Sequence, residues 1–205
     1  LNAPNGTEII SPSPTQLREI YTNPNNFLFL GRVNAPFFGR LGNTFSYKKL
    51  SLTANIGFKF GHVYRAQNLD YGSYYSSSSF GGGRPSKLVT SRWKSPGDEF
   101  KTRIPLLSGN IERDINNSYA YSYSNINVKD ASHIRLTDIL IKYSFDSSEL
   151  KRLPINNLDV YIQADNLGIL WRANKDGVDP DYVPTSYSRF VPPSRSFAIG
   201  LKCSF

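Results

Sequence analysis

The sequence of 205 residues has one cysteine, two histidines and no methionine. A single thiol, Cys203, excludes a disulfide within the chain. With only His62 and His133 beside it, a zinc site would have too few ligands, so we expect no metal and no other cofactor. Because methionine is absent and no signal peptide begins at Leu1, we expect a processed or partial chain.

Long apolar runs are missing as well. The longest, residues 27–30, is far shorter than the roughly 18 apolar residues of a membrane-spanning helix. The composition, 39% hydrophobic and 20% charged, is nevertheless too apolar and aromatic for a disordered chain. The length fits one domain or part of a larger one.

The net charge of +8 is not gathered into a phosphate-binding stripe. Residues 1–130 hold 15 basic and 8 acidic side chains, but apart from Lys48 and Lys49 the basic residues are scattered singly. Nucleic-acid-binding proteins cluster such residues along one face. We therefore expect no nucleic acid as a partner.

Alternation of apolar and polar residues predicts β-strands. From Leu50 to Phe60 every second residue is apolar, which is typical of a strand with one polar face. Residues 41–47 alternate in the same way and meet this run at Lys48 and Lys49, so the two predict a tight hairpin. Three further alternating runs cover residues 139–145, 158–164 and 197–205, whereas helical periodicity is nearly absent. The chain is predicted to be all-β.

The lengths of the connections favour a membrane barrel. In an antiparallel sheet the two short connections would lie at one end, and the long segments 61–131 and 168–194 at the other. Short turns on one rim and long loops on the other are typical of outer-membrane barrels, and strands of about ten residues match a bilayer crossed at a tilt. The alternative is a soluble β-sandwich, which would make this chain a binding or adhesion module.

The last strand favours the barrel over the sandwich. The order Ile199-Gly200-Leu201-Lys202-Cys203-Ser204-Phe205, with its terminal aromatic residue, resembles the assembly signal of bacterial outer-membrane barrels. We therefore expect Gly200 and Phe205 to act in assembly of the barrel.

A series of short motifs runs in order along the chain from about Phe37 to its end. The motifs are residues 43–48 before Leu50-Ser51-Leu52, residues 92–98, residues 133–139 leading to Tyr143, residues 158–167, Gly177-Val178-Asp179-Pro180-Asp181, and residues 193–197 with Gly200 and Phe205. Taken in this order, they resemble the C-terminal portion of SusC-type TonB-dependent transporters of Bacteroidetes.

This resemblance implies the C-terminal strands of a large, plugged, antiparallel transmembrane β-barrel in the outer membrane. Residues 1–36 would then be an extracellular lead-in segment, residues 37–205 barrel strands, the loops at 61–131 and 168–194 extracellular, and the C-terminus periplasmic. The family imports glycan or peptide fragments. Its partners would be a SusD-like surface lipoprotein as lid, the TonB complex acting through regions absent here, the rest of the barrel and plug, and outer-membrane lipid.

Tyrosines in the first long segment are candidate contacts for a substrate or for the lid, because tyrosine offers an apolar ring with a hydroxyl. The candidates are Tyr71, Tyr74, Tyr75, Trp93, Tyr119, Tyr121 and Tyr123. For the last three tyrosines the alternative is an interfacial aromatic girdle near a strand end, and for Trp93 it is anchorage of the turn at Pro96-Gly97-Asp98.

No enzyme signature stands out. The chain has no Gly-x-Ser-x-Gly elbow, and Gly81-Gly82-Gly83-Arg84 lacks the Gly-Lys-Ser/Thr ending of a phosphate loop. Asp176, Asp179 and Asp181 do not follow the EF-hand order, so we expect them to cap their loop. We predict that the protein is not an enzyme.

Overall fold

The computed structural model describes residues 22–66, 69–80, 87–146, 148–150, 154–183 and 192–204. The strands are β1 (Phe37–Tyr47), β2 (Leu50–Phe60), β3 (Val63–Arg65), β4 (Val128–Asp130), β5 (His133–Asp146), β6 (Asn157–Arg172) and β7 (Ser196–Ser204). The helices are α1 (Tyr71–Phe80), α2 (Lys87–Thr90) and α3 (Ile111–Tyr123), with short 3-10 turns at Pro24–Asn26, Asp98–Phe100, Asn125–Asn127 and Pro180–Tyr182.

The chain divides into two compact units. The sheet unit comprises residues 31–64, residues 130–183 and the C-terminal strand, and the insertion unit is formed mainly by residues 65–129. None of the helices in the described part of the chain is long and apolar enough to cross a membrane.

The sheet unit is built on one antiparallel sheet in the order β1-β2-β5-β6-β7. All five strands predicted from alternation are present. The hairpin is confirmed as well, because Tyr47 pairs with Leu50 and the turn residue Lys48 has a left-handed φ of 53°.

The two faces of this sheet differ sharply in polarity. One face, called the apolar face, carries one row of apolar side chains from each strand. These rows are Leu41, Phe45 and Tyr47; Leu50, Leu52, Ala54, Ile56, Phe58 and Phe60; Ile134, Leu136, Ile139, Ile141, Tyr143 and Phe145; Leu158, Val160, Ile162, Ala164 and Trp171; and Phe197, Ile199, Leu201 and Cys203. Many of these side chains are exposed, including Phe45 at 62% and Ile199 at 78%. Nothing in the described residues covers the apolar face.

The opposite, polar face is held by side-chain pairs between neighbouring strands. Asp138 of β5 accepts hydrogen bonds from Arg40 of β1 and, at 2.7 Å, from Asn55 of β2. Lys142 lies 3.7 Å from Asp159 on β6. Cross-strand pairs of this kind reinforce the backbone ladder.

Both short connections lie at one end of the sheet, as predicted. Leu50 pairs with Tyr143, Tyr143 with Val160, and Val160 with Leu201. At this end Lys49 of the hairpin turn binds Asp146 at 2.8 Å and Glu149 at 2.7 Å, so one lysine joins the two connections.

Three strands are longer than their alternation predicts. β1 begins at Phe37 instead of Leu41. β5 begins at His133 instead of Ile139, and β6 continues to Arg172, past the predicted loop start at Gly168. The pairing of β5 with β6 shifts register twice in this stretch, and Asn166 takes a left-handed φ of 54°. A bulge inserts an unpaired residue, and the period of two is lost there.

The segment 61–131 is not the helix-free loop that the sequence favoured. Tyr119, Tyr121 and Tyr123 lie on α3 and not in a strand, which argues against the alternative of an interfacial aromatic girdle. The residues alternate in sequence, but Asp114, Ser118 and Ser122, spaced four apart, form the buried face of a helix. Because these buried positions are polar, they do not form the apolar stripe by which a buried helix face is recognised in a sequence.

Gly200 of β7 lies directly opposite Tyr161 of β6. A Cβ at Gly200 would overlap the tyrosine ring, so the ring covers a position that only glycine leaves open.

We expect Gly200→Val to destabilise the full-length protein by about 1–3 kcal/mol, because the added side chain must displace Tyr161. The measurement is the unfolding temperature in detergent by circular dichroism. Tyr161→Ala removes the obstructing ring, so the double variant should recover part of the loss. An unchanged unfolding temperature in Gly200→Val would contradict this packing role.

Candidate functional site

The insertion unit has a small core of its own. Its buried members are Leu69, Tyr71, Val89 and Ile104, and Tyr74, Tyr75, Leu88, Leu107 and Tyr121 pack against them. The Tyr71 hydroxyl donates to the Pro105 carbonyl at 2.5 Å, and burial raises the pKa of this phenol. Tyr71 therefore supports the unit from inside, because its side chain has no exposed surface.

A buried carboxylate, Asp114 on α3, organises the polar half of this core. It accepts hydrogen bonds from the Ser108 amide at 2.9 Å, the Ser108 hydroxyl at 2.7 Å, the Gly109 amide at 3.0 Å and the Tyr75 hydroxyl. Burial disfavours its charged form, but these donors outweigh burial and hold the pKa of Asp114 below its ordinary value. Burial and this hydrogen bond together raise the pKa of Tyr75 to about 12.

The Trp93 segment forms the turn that its Pro-Gly dipeptide predicts. Gly97 has a left-handed φ of 101°, and the Asp98 carboxylate accepts hydrogen bonds from the Lys94 and Ser95 amides at 3.2 and 3.1 Å. The half-buried Trp93 donates from Nε1 to Glu99 at 3.0 Å. Trp93 thus braces the turn, and part of its ring stays accessible.

Tyr119 and Tyr123 are the candidates with the most open rings. They lie one helical turn apart on α3 and are 58% and 59% exposed. The Arg65 guanidinium lies 5.3 Å from the centre of the Tyr123 ring and donates to the Ser122 carbonyl at 2.9 Å. Arg65 therefore packs on the ring of Tyr123, one member of this exposed aromatic pair.

The seven predicted contact residues therefore divide into three groups. Tyr71 is fully buried, Tyr74, Tyr75, Trp93 and Tyr121 are partly buried, and Tyr119 and Tyr123 present their rings to solvent. The last group offers a ligand or a partner the largest exposed aromatic surface.

In the sheet unit, two aspartates cap the ends of the strands. Asp179 accepts two hydrogen bonds from Arg135, at 2.6 and 2.7 Å. Asp181 accepts one from Lys59 at 2.7 Å and lies 3.2 Å from His133 Nε2. The hydrogen bond with His133, assisted by Lys59, holds the pKa of Asp181 well below its ordinary range. Asp179 also caps the turn Pro180–Tyr182 by accepting a hydrogen bond from the Asp181 amide at 3.1 Å. Of the three aspartates expected to cap this loop, Asp179 does so.

The partners of this cap on the strands, Lys59, His133 and Arg135, were not foreseen as site residues. Each belongs to the polar row at the end of its strand, and the acidic loop follows β6 on the same sheet. Alternation places the three side chains on one face, but no sequence signal fixes where the loop returns. In the described part of the chain, no group of three or more potential ligands could hold a metal ion.

A shallow cavity of about 490 Å³ lies beside the cap. It is lined by Ile169, Leu170, Trp171, Arg172 and Asp179. Asp179 is occupied by Arg135, and Arg172 donates to the Gly177 carbonyl at 2.9 Å. The charged side chains of this cavity are therefore already engaged in contacts that hold the loop after β6.

No protein-family model and no curated protein matches the sequence. Solved structures do match. They include the RagAB peptide importer in the 'open-open' state (22% identity, TM-score 0.57), the RagAB peptide transporter (22%, 0.58) and the RagAB peptide importer in the 'closed-closed' state (21%, 0.55).

These matches cover 84–86% of this chain but only 17–18% of the matched chains. The chain therefore spans less than a fifth of the length of the proteins it resembles. At this identity the likeness establishes the fold alone.

We expect Asp114→Ala to lower the free energy of unfolding of the insertion unit by about 3 kcal/mol, because the substitution leaves the buried donors of Ser108, Gly109 and Tyr75 without a partner. The measurement is the rate of protease cleavage within residues 65–129 of the full-length protein. Glu112→Ala, at an exposed position of the same helix, is the matched control and should cleave at the wild-type rate.

The pH dependence gives a second readout of the same carboxylate. Because its pKa is lower in the folded unit, Asp114 stabilises the unit above the ordinary value of 3.8, and this contribution is lost as the pH falls through the depressed pKa. The cleavage rate should rise in that acidic window in the wild type and change less in Asp114→Ala. Equal acid responses would contradict the assignment.

Proposed function

We propose that this chain is the C-terminal part of an outer-membrane active transporter that imports peptide or glycan fragments. The observation that carries the proposal is the apolar face of the sheet. Isolated surface patches on soluble proteins rarely exceed a few hundred Å², whereas here one whole face of a five-stranded sheet is apolar. Lipid is the surrounding that makes such a face stable.

The distribution of side chains along the apolar face supports a membrane position. Aromatic rings gather near both ends: Phe58, Phe60 and Trp171 at one, Tyr47, Tyr143 and Phe145 at the other. Most positions between them are aliphatic. Membrane barrels carry this arrangement, because aromatic rings are stable at the two interfaces between lipid and water.

The exposed edges argue for further strands. Within the described residues β1 and β7 each pair on one side only, and unpaired backbone groups are not tolerated in lipid. The rest of a barrel, lying outside this chain, would pair with both edges. A soluble sandwich is disfavoured, since it would need a second sheet against the apolar face.

The remaining features follow from the motifs shared with SusC-type transporters together with the fold likeness to a peptide importer. A SusD-like surface lipoprotein is the proposed lid, and TonB would energise transport through segments outside these residues. The insertion unit and the cap at residues 176–182 would face the cell exterior, and the short turns the periplasm. Tyr119 and Tyr123 are the proposed contacts for substrate or lid.

The membrane position is tested by one charge placed on either face of β7. Ile199→Lys puts an ammonium on the apolar face near the middle of the strand, at a cost of about 2–4 kcal/mol in lipid. Ala198→Lys places the same charge on the polar face. We expect the first to reduce sharply the amount of full-length protein in the outer-membrane fraction, measured by immunoblot, and the second to leave most of it.

Equal amounts of the two variants in the outer-membrane fraction would contradict the membrane assignment, since only a lysine that faces lipid carries this cost. A wild-type protein that stays in buffer after removal of membranes would overturn the proposal altogether.

The role of Phe205 in assembly, a residue outside the described part of the chain, stays a prediction. Deleting Phe205 should lower the amount of transporter in the outer membrane, because the terminal strand must be recognised before the barrel closes. Uptake per inserted molecule should stay at the wild-type level. Unchanged surface abundance with reduced uptake per molecule would assign Phe205 to transport instead.

A further inference from the structure

The insertion unit carries a second, smaller cavity beside the Trp93 turn. It measures about 320 Å³ and is lined by Ser91, Arg92, Lys94, Asp98, Lys101 and Thr102. None of these six residues belongs to the cap of the sheet unit or to the tyrosine pair of α3.

Positive charge dominates this cavity. Its lining has three cationic side chains, Arg92, Lys94 and Lys101, and a single carboxylate, Asp98. This carboxylate already accepts hydrogen bonds from its own turn. Its Oδ2 accepts from the Lys94 and Ser95 amides, and its Oδ1 lies 3.4 Å from the Lys101 ammonium. These amide hydrogen bonds hold the pKa of Asp98 below its ordinary value, so the carboxylate is ionised and the cavity keeps a net charge of about +2 at neutral pH.

The backbone that carries the cations is fixed before any ligand binds. The Asp98 carbonyl accepts from the Lys101 and Thr102 amides at 2.9 and 2.8 Å, and the Trp93 amide donates to Ile104 at 3.0 Å. Lys94 and Lys101 therefore lie at the two ends of one hydrogen-bonded turn. Because the main chain is already ordered, binding a ligand costs little backbone entropy.

Arg92 provides the planar donor group. Its Nη1 donates to the Val89 carbonyl at 2.9 Å, while its buried Nε has no hydrogen-bond partner in the described part of the chain. The Thr102 hydroxyl, which accepts from the Ile104 amide at 3.1 Å, also lies in the cavity lining. An anchored guanidinium beside a hydroxyl fits the two oxygens of a carboxylate.

We propose that this cavity binds a carboxylate group of the transported substrate and so favours acidic oligomers. This inference rests on the proposed transport function and narrows its substrate class. A carboxylate can come from an acidic peptide or from a uronic-acid oligosaccharide, and the experiment separates these two sources.

The test uses the full-length transporter, purified in detergent with its native partner. Fluorescence anisotropy gives the dissociation constants of labelled hexaglutamate, hexaglutamine and hexagalacturonate. We expect at least one acidic probe to bind more tightly than hexaglutamine, and Lys101→Gln and Arg92→Gln each to weaken that probe by about tenfold, as expected for loss of a charge-assisted hydrogen bond. Which acidic probe shows this loss identifies the source.

The matched control is Arg103→Gln, which removes the same charge two residues from Lys101 at an exposed position outside the cavity lining. It should change affinity by less than about twofold, because an exposed charge is screened by solvent and salt. Hexaglutamine affinity should be the same in all variants.

Equal binding of acidic and neutral probes, or equal losses in Arg103→Gln and Lys101→Gln, would overturn the inference. Uptake of hexaglutamine by intact cells and membrane location are scored separately, so the transport proposal survives either result. Failure of the wild type to reach the outer membrane would overturn both.

Discussion

The whole sheet depends on one constraint, which is that its two faces meet different surroundings. An apolar row and a polar row alternate in every strand, and in the described residues no second layer covers either face. A sheet of this kind has no core in the usual sense. Its stability comes from the backbone ladder, from cross-strand pairs such as those at Asp138, and from whatever lies against the apolar rows. Outside lipid, the exposed rings and aliphatic side chains would promote aggregation.

The insertion unit is stabilised in a different way from the sheet, and the reason lies in its composition. Residues 65–129 are rich in serine, tyrosine and asparagine and have few aliphatic residues, so burial alone gives a small core around Tyr71. Hydrogen bonds complete it: Asp114 gathers the Ser108 and Gly109 amides, and the Ser122 hydroxyl donates to the Leu69 carbonyl at 3.1 Å. A buried polar group is costly to leave unpaired, and Asp114 alone satisfies four donors, so the unit is sensitive to its loss.

The sequence predicted the strands well because a period of two survives wherever one face is apolar. It missed the first residues of β5 and the last of β6, where bulges interrupt the period, and it missed α3, whose buried face is formed by Asp114, Ser118 and Ser122. The candidate site was predicted only in part. Tyrosines could be singled out by type, but whether a ring is buried, as at Tyr71, or open, as at Tyr119, depends on tertiary packing that no local pattern records.

The acidic cap lies at the irregular ends of β5 and β6 and holds them in place. Bulges at the end of β6 lengthen that strand to Arg172, and the loop that follows then returns over the neighbouring strand ends, where Asp179 reaches Arg135 and Asp181 reaches Lys59 and His133. β2 and β5 each carry a basic side chain at the end of the polar row, Lys59 and Arg135. Two carboxylates from one short loop, Asp181 and Asp179, pair with these charges. The ion pairs are partly shielded from water, so their attraction is stronger than that of exposed pairs. The cap therefore fixes β2, β5 and the loop after β6 to one another at the end of the sheet opposite the two short connections.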